Sequence, residues 1–133
     1  MVVVSVTRLK IRSPLFLIPF MISAIQSSQQ AKRAAGNLSA ATRKDQGLVF
    51  WTLTTWDSEA SMRHYIRAGS HGKAMAKLAE WCDEASLVHW LQEPDQPVNW
   101  QIASERMLKE AHFSRVKYPS VDHQQRRIPT PQF

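Results

Sequence analysis

The segment from Leu48 to Trp56, LVFWTLTTW, decides the fold. Its aromatic and β-branched residues read as a strand. Side chains alternate along a strand, so Leu48, Phe50 and Trp56 share one side, with Val49, Trp51 and Leu53 on the other. Both sides are apolar near the start. Helices on one face leave the other with Trp and Leu in water, which a soluble chain avoids. A second subunit's sheet is the economical cover. The alternative is that the C-terminal segment of the same chain covers that face.

Upstream, Lys44-Asp45-Gln46-Gly47 is a hairpin turn, and Leu38 to Arg43 is a short strand before it. Val2 to Ile11, VVVSVTRLKI, is a first strand. Residues 14–35 read as a helix, with Ser13 as its N-cap and Pro14 at the first helical position. Pro19 should kink that helix or mark a late start. Lys32 and Arg33 sit in its last turn, and Gly36 closes it.

Downstream, Asp57 and Ser58 open a helix with Met62, Tyr65 and Ile66 on one face. Gly69-Ser70 breaks it. Met75, Leu78, Ala79 and Cys82 then repeat with helical spacing. Leu87 to Gln92 is a last strand, and Asn99 caps a further helix from Trp100 to about Ala111. Ser114 to Phe133 is polar, basic and proline-punctuated, and reads as an extended arm.

The order is β-α-β-β-α-β, the ferredoxin-like split βαβ arrangement: a four-stranded antiparallel sheet with helices on one face. The expected organisation is an α+β domain over residues 1–93 and a C-terminal helix and arm over 94–133. A homodimer is expected, a twin sheet covering the second face.

The chain has 133 residues, a formal net charge of +6 and ordinary globular composition. One cysteine, Cys82, excludes an internal disulfide and fits a reducing, cytoplasmic setting. Pro14 to Ile25, PLFLIPFMISAI, follows Arg8, Lys10 and Arg12 like the opening of a signal peptide. It is too short to span a bilayer and is interrupted by prolines, so it reads as a buried helix. The basic flank beside it leaves a peripheral membrane contact open. The positive charge is dispersed and lacks an aromatic-basic RNA-binding pattern, so no nucleic-acid partner is expected.

The stretch FWTLTTWDSEASMRHYIRAGSHGKAMAKLAEWCDEASLVHW, Phe50 to Trp90, resembles the antibiotic-biosynthesis monooxygenase superfamily, dimeric α+β barrels. The shared pattern is an aromatic strand ending in Trp-Asp/Glu-Ser, a capped helix, and a short break with His before a second helical turn. Within the superfamily it looks most like spheroidene-monooxygenase-like members. The resemblance implies an oxygenase acting on a hydrophobic aromatic or polyene substrate, either without cofactor or with haem. A non-catalytic ligand-binding or interaction module on the same scaffold is the alternative.

That resemblance points to His71 as the catalytic residue, taking a proton from a phenol or enol, or binding a haem iron. Trp56 stands where haem-degrading relatives carry a Trp beside the porphyrin. Those relatives also carry an Asn in the first strand, absent here, and place their iron-binding His where this chain has Met75. Candidate substrate contacts are Tyr65, His64, Trp51 and Asn37. Asp83-Glu84 point apart and are expected to meet a basic residue such as Arg8 or Arg43. His89 alternates with Leu87 and Leu91 and reads as a structural histidine. His64, His71, Cys82 and His89 have no metal-ligand spacing.

Overall fold

The computed structural model describes residues 1–133, apart from the side chains of Ser70 and His71. Five antiparallel strands form one sheet: β1 (Val2–Ile11), β2 (Asn37–Lys44), β3 (Val49–Trp56), β4 (Cys82–Gln92) and β5 (His112–Phe113), in the order β2-β3-β1-β4-β5. The first four make the ferredoxin-like core expected from the sequence. The short β5 adds an edge by pairing Phe113 with Ser86 and His112 with Leu87.

Three helices, α1 (Leu17–Arg33), α2 (Glu59–Arg67) and α3 (Gly69–Trp81), cover one face. Ser13 caps a preceding 3-10 turn, Pro14–Phe16, by accepting from the Leu15 amide. The α-helix thus starts late, and Pro19 falls in its first turn, where its missing N–H breaks no helical bond. Ser58 caps α2 in the same way. Ala68 separates α2 from α3, which opens on Gly69 at φ +53°.

The opposite face carries Val4 and Val6 of β1, Val49, Trp51 and Leu53 of β3, and Val88 and Trp90 of β4. The helix α4 (Trp100–Glu110), capped by Asn99, lays Ala103 and Met107 on it. The tail returns too. The Phe133 ring lies 5.4 Å from that of Trp51 and 5.7 Å from that of Trp100, and the Gln132 amide donates to Asp45 at 2.8 Å. The chain therefore supplies the cover itself, and a twin copy is not needed to keep this face dry. The segment 114–133, read as an extended arm, contains the short helix α5 (Val121–Gln124) and touches the domain at Val116, Ile128 and Phe133, while most of its residues are exposed.

Two further expectations change. First, β4 starts at Cys82 and not at Leu87, directly after Trp81 of α3. Asp83 and Glu84 are thus strand residues. Glu84 meets the buried Arg8 at 2.7 Å across the sheet, and Lys10 lies 3.4 Å from Asp83. Second, α1 is not a buried helix. Only Phe20 and Ala31 are buried in it, while Ile18, Ile22 and Ile25 face outward. Among the described residues, no helix is long and apolar enough to cross a membrane.

Candidate functional site

The sheet face under α1–α3 is not uniformly apolar. Cross-strand register sets Ser5 opposite Thr54 and Thr7 opposite Thr52, in the middle of the sheet. On the outer side Thr42 pairs with Thr52, and on the other His89 pairs with Ser5. Apolar pairs bound this polar patch: Val3 with Trp56 at one end, Leu9 with Phe50 at the other.

A cavity of about 380 Å³ lies between that patch and the helices. Its floor is Ser5, Thr7, Thr52 and Thr54, with Trp56 at one end. Phe20, Ala24 and Ala31 of α1, Met62, Tyr65 and Ile66 of α2, and Ala74 and Leu78 of α3 form apolar walls. The volume falls in the range of small-molecule pockets, about 300–1,000 Å³. Hydroxyls from the floor and from Ser23, Ser27 and Ser28 of α1, set in a largely apolar chamber, can orient a flat ligand that bears a few oxygens.

Trp56 is fully buried, and its indole N–H donates to the Thr54 hydroxyl at 2.9 Å. That bond holds the ring in the cavity wall, 5.1 Å from the Tyr65 ring. The Tyr65 hydroxyl donates to the Ser27 carbonyl at 3.0 Å. Burial pushes its pKa up to about 12, so it stays a neutral phenol near pH 7. Tyr65 is therefore suited to shaping the wall and not to proton transfer.

The other expected contacts lie elsewhere. Trp51 points to the α4 face, donating to Asp45 at 3.1 Å. It cannot reach the cavity because strand residues one apart from Thr52 point the opposite way. Asn37 donates to the carbonyls of Ser39 and Thr55 at the sheet edge and does not line the cavity. His64 is exposed on α2 and also lies outside the lining. The proposed role of His71, as base or haem ligand, lies outside the described residues.

One imidazole the sequence reading set aside does line the cavity. His89 is about half exposed, with Nε2 3.9 Å from a Glu59 carboxylate oxygen. The same oxygen accepts from Arg63 at 2.7 Å, which holds the Glu59 carboxyl below the usual carboxylate range. The signal was present in the alternation of Leu87, His89 and Leu91. That alternation sets His89 on the same face as Thr7 and Ser5, through the β1 pairing.

The haem that the resemblance implies would be held by His71, which lies outside the described residues. Among the described residues, the imidazole that lines the cavity is that of His89, 3.9 Å from Glu59. Among the described residues, no group of three or more His, Cys, Asp or Glu could hold a metal ion.

No protein-family description matches the sequence, and no curated protein is similar to it. Solved structures share the fold. One from Mycobacterium tuberculosis superposes with a TM-score of 0.65 at 10% identity, covering 73% of this chain and 100% of its own. A protein from Nitrosomonas europaea, described as a candidate antibiotic biosynthesis monooxygenase, gives 0.63 at 11% identity, covering 72% and 94%. A conserved protein from Methanosarcina mazei gives 0.62 at 16% identity, covering 70% and 94%. At these identities the likeness establishes the ferredoxin-like α+β fold.

Proposed function

We propose that this chain is a cofactor-free, monooxygenase-like enzyme of the antibiotic-biosynthesis monooxygenase superfamily, acting on a hydrophobic aromatic or polyene molecule. The observation that carries the reading is the 380 Å³ chamber with a hydroxyl floor and a Trp56–Tyr65 wall. The fold shared with proteins described as such monooxygenases supports it.

The chemistry is a proton removal followed by reaction with O2. A base takes a proton from an activated CH2 or an enol. The resulting anion is electron-rich and reduces O2, forming a C–O bond and a hydroperoxide after proton return. Loss of water leaves a ketone, so CH2 and O2 become C=O and H2O. The apolar walls keep the anion and O2 together and exclude water. The threonine hydroxyls can hydrogen-bond the oxyanion. The base is His71, as the resemblance implies, or His89, which lines the chamber.

Anthrone, a flat ketone with an acidic CH2, is the test substrate. The expected result is O2 uptake above the buffer rate, with one anthraquinone formed per O2. His71→Ala and His89→Ala identify the base by which of them abolishes turnover. Saturable quenching of tryptophan fluorescence by anthrone without O2 uptake would give the chain to the alternative, a non-catalytic ligand-binding module. The half-exposed state of His89 favours that second reading, since a base open to water is a weaker catalyst. Neither uptake nor binding would overturn both.

A further inference from the structure

The outer face of α1 carries an apolar stripe that nothing in the chain covers. Ile18, Ile22 and Ile25 recur at spacings of four and three, which places them on one line along α1, and Leu15 in the 3-10 turn before it adds to the apolar surface. Leu15, Ile18, Ile22 and Ile25 are 84%, 73%, 54% and 54% exposed, and Met21 lies beside them. The opposite side of the same helix roofs the cavity through Phe20, Ala24 and Ala31.

The charges in the sequence that carries the stripe are one-sided. Residues 1–44 contain no Asp or Glu. Arg8 and Lys10 are occupied by Glu84 and Asp83. Arg12 stands at the start of the stripe, stacked 4.7 Å from Phe16, and Lys32 and Arg33 stand at its end.

We propose that α1 docks in the interface of an anionic lipid surface, with the isoleucine stripe among the acyl chains and the terminal cations at the headgroups. Two observations favour lipid over a second copy. The stripe offers a few hundred Å², below the about 800 Å² each partner brings to a stable protein interface. Self-pairing would also bring like cationic ends together, whereas anionic headgroups neutralise them. An amphipathic helix needs only a shallow burial, about 5–10 Å deep, to hold a protein at such a surface. The docking is independent of what chemistry the cavity performs.

The test is co-sedimentation of the full chain with phosphatidylcholine–phosphatidylglycerol vesicles at low salt, beside vesicles of phosphatidylcholine alone. The chain should pellet with the anionic vesicles and remain in solution with the neutral ones. Ile18→Asp/Ile22→Asp should weaken partitioning roughly tenfold or more. Lys32→Gln/Arg33→Gln should weaken it and flatten its salt dependence. All four positions are exposed, and near-UV circular dichroism checks that the variants keep the fold. Three results would overturn the proposal. One is wild-type protein left in solution with anionic vesicles. Another is an aspartate double variant that pellets like wild type. The third is a lipid-free dimer that the aspartate variant splits, which would assign the stripe to a second copy.

Discussion

Met107→Ala tests whether the chain's own C-terminal helix seals the second face of the sheet. Met107 has 0% exposure and packs with Ala103 against the cluster containing Val4, Val6, Trp51, Val88 and Trp90. The substitution removes three heavy atoms from a closed site. Truncations of this kind cost about 2–5 kcal/mol, depending on how far the surroundings collapse. Here Trp51 and Trp90 are rigid and the sheet cannot close in, while α4 can settle slightly, so about 3 kcal/mol is expected. With an unfolding entropy of about 2.1 cal/mol/K per residue, 133 residues give about 0.3 kcal/mol/K. The Tm should then fall by roughly 10 °C. Urea unfolding followed by tryptophan fluorescence measures the change directly, with an unaltered denaturant slope. The wild-type midpoint should not move with protein concentration, because the cover belongs to the same chain. A loss under about 1 kcal/mol would mean α4 does not rest on this face. A midpoint that climbs with concentration would return the face to a second copy.

Glu84→Gln should cost about 3 kcal/mol, because it leaves the buried Arg8 guanidinium without a counter-charge. Burial pushes the Glu84 carboxyl up, but hydrogen bonds from Arg8 and Ser120, with the charges of Arg8 and Lys10, outweigh it and hold it below 4.5. The unfolded chain therefore takes this proton first on acidification. The stabilisation is complete above about pH 4.5 and drains as pH falls through the folded value, and Glu84→Gln should remove that part of the acid slope in urea titrations. Gly36→Ala should cost about 1–3 kcal/mol by thermal unfolding, since φ is +87° and an added Cβ would strike the Ser61 and Asp57 side chains. The Cys82 thiol is driven to about 12 by burial and by Asp83, so a disulfide-exchange reagent should label it only as the chain unfolds. Labelling within the mixing time of native protein would refute that.

Local pattern carried much of the architecture. LVFWTLTTW and VVVSVTRLKI form the central strands because their alternation is strong, and Ser58 and Asn99 cap the helices they were assigned. What failed depends on distant partners. Cys82 to Ser86 continues the helical apolar spacing of α3 and has no β-branched residue. It becomes strand because Arg8 and Lys10, more than seventy positions earlier, pair with Glu84 and Asp83. The α1 stripe has the composition of a core segment, and only tertiary placement shows it outside. Of the site, Trp56 and Tyr65 were legible as strand end and inward helix face. Alternation set Trp51 on the face opposite Trp56, as the structure has it, so naming it a ligand contact ran against that pattern, and the hydroxyl floor went unread although Ser5, Thr7, Thr52 and Thr54 alternate with apolar neighbours.

The junction at Trp81 and Cys82 has a mechanical consequence. Helix passes into strand with no intervening residue, and α3 walls the cavity while β4 forms part of its sheet. Most enclosures can open by swinging a wall on a slack hinge. Here an outward tilt of α3 would pull on the end of β4, where Ile11 faces Cys82 and Arg12 bonds to Trp81. Entry of a guest falls instead to the α1 and α2 side, where α1 meets β2 through the positive-φ Gly36.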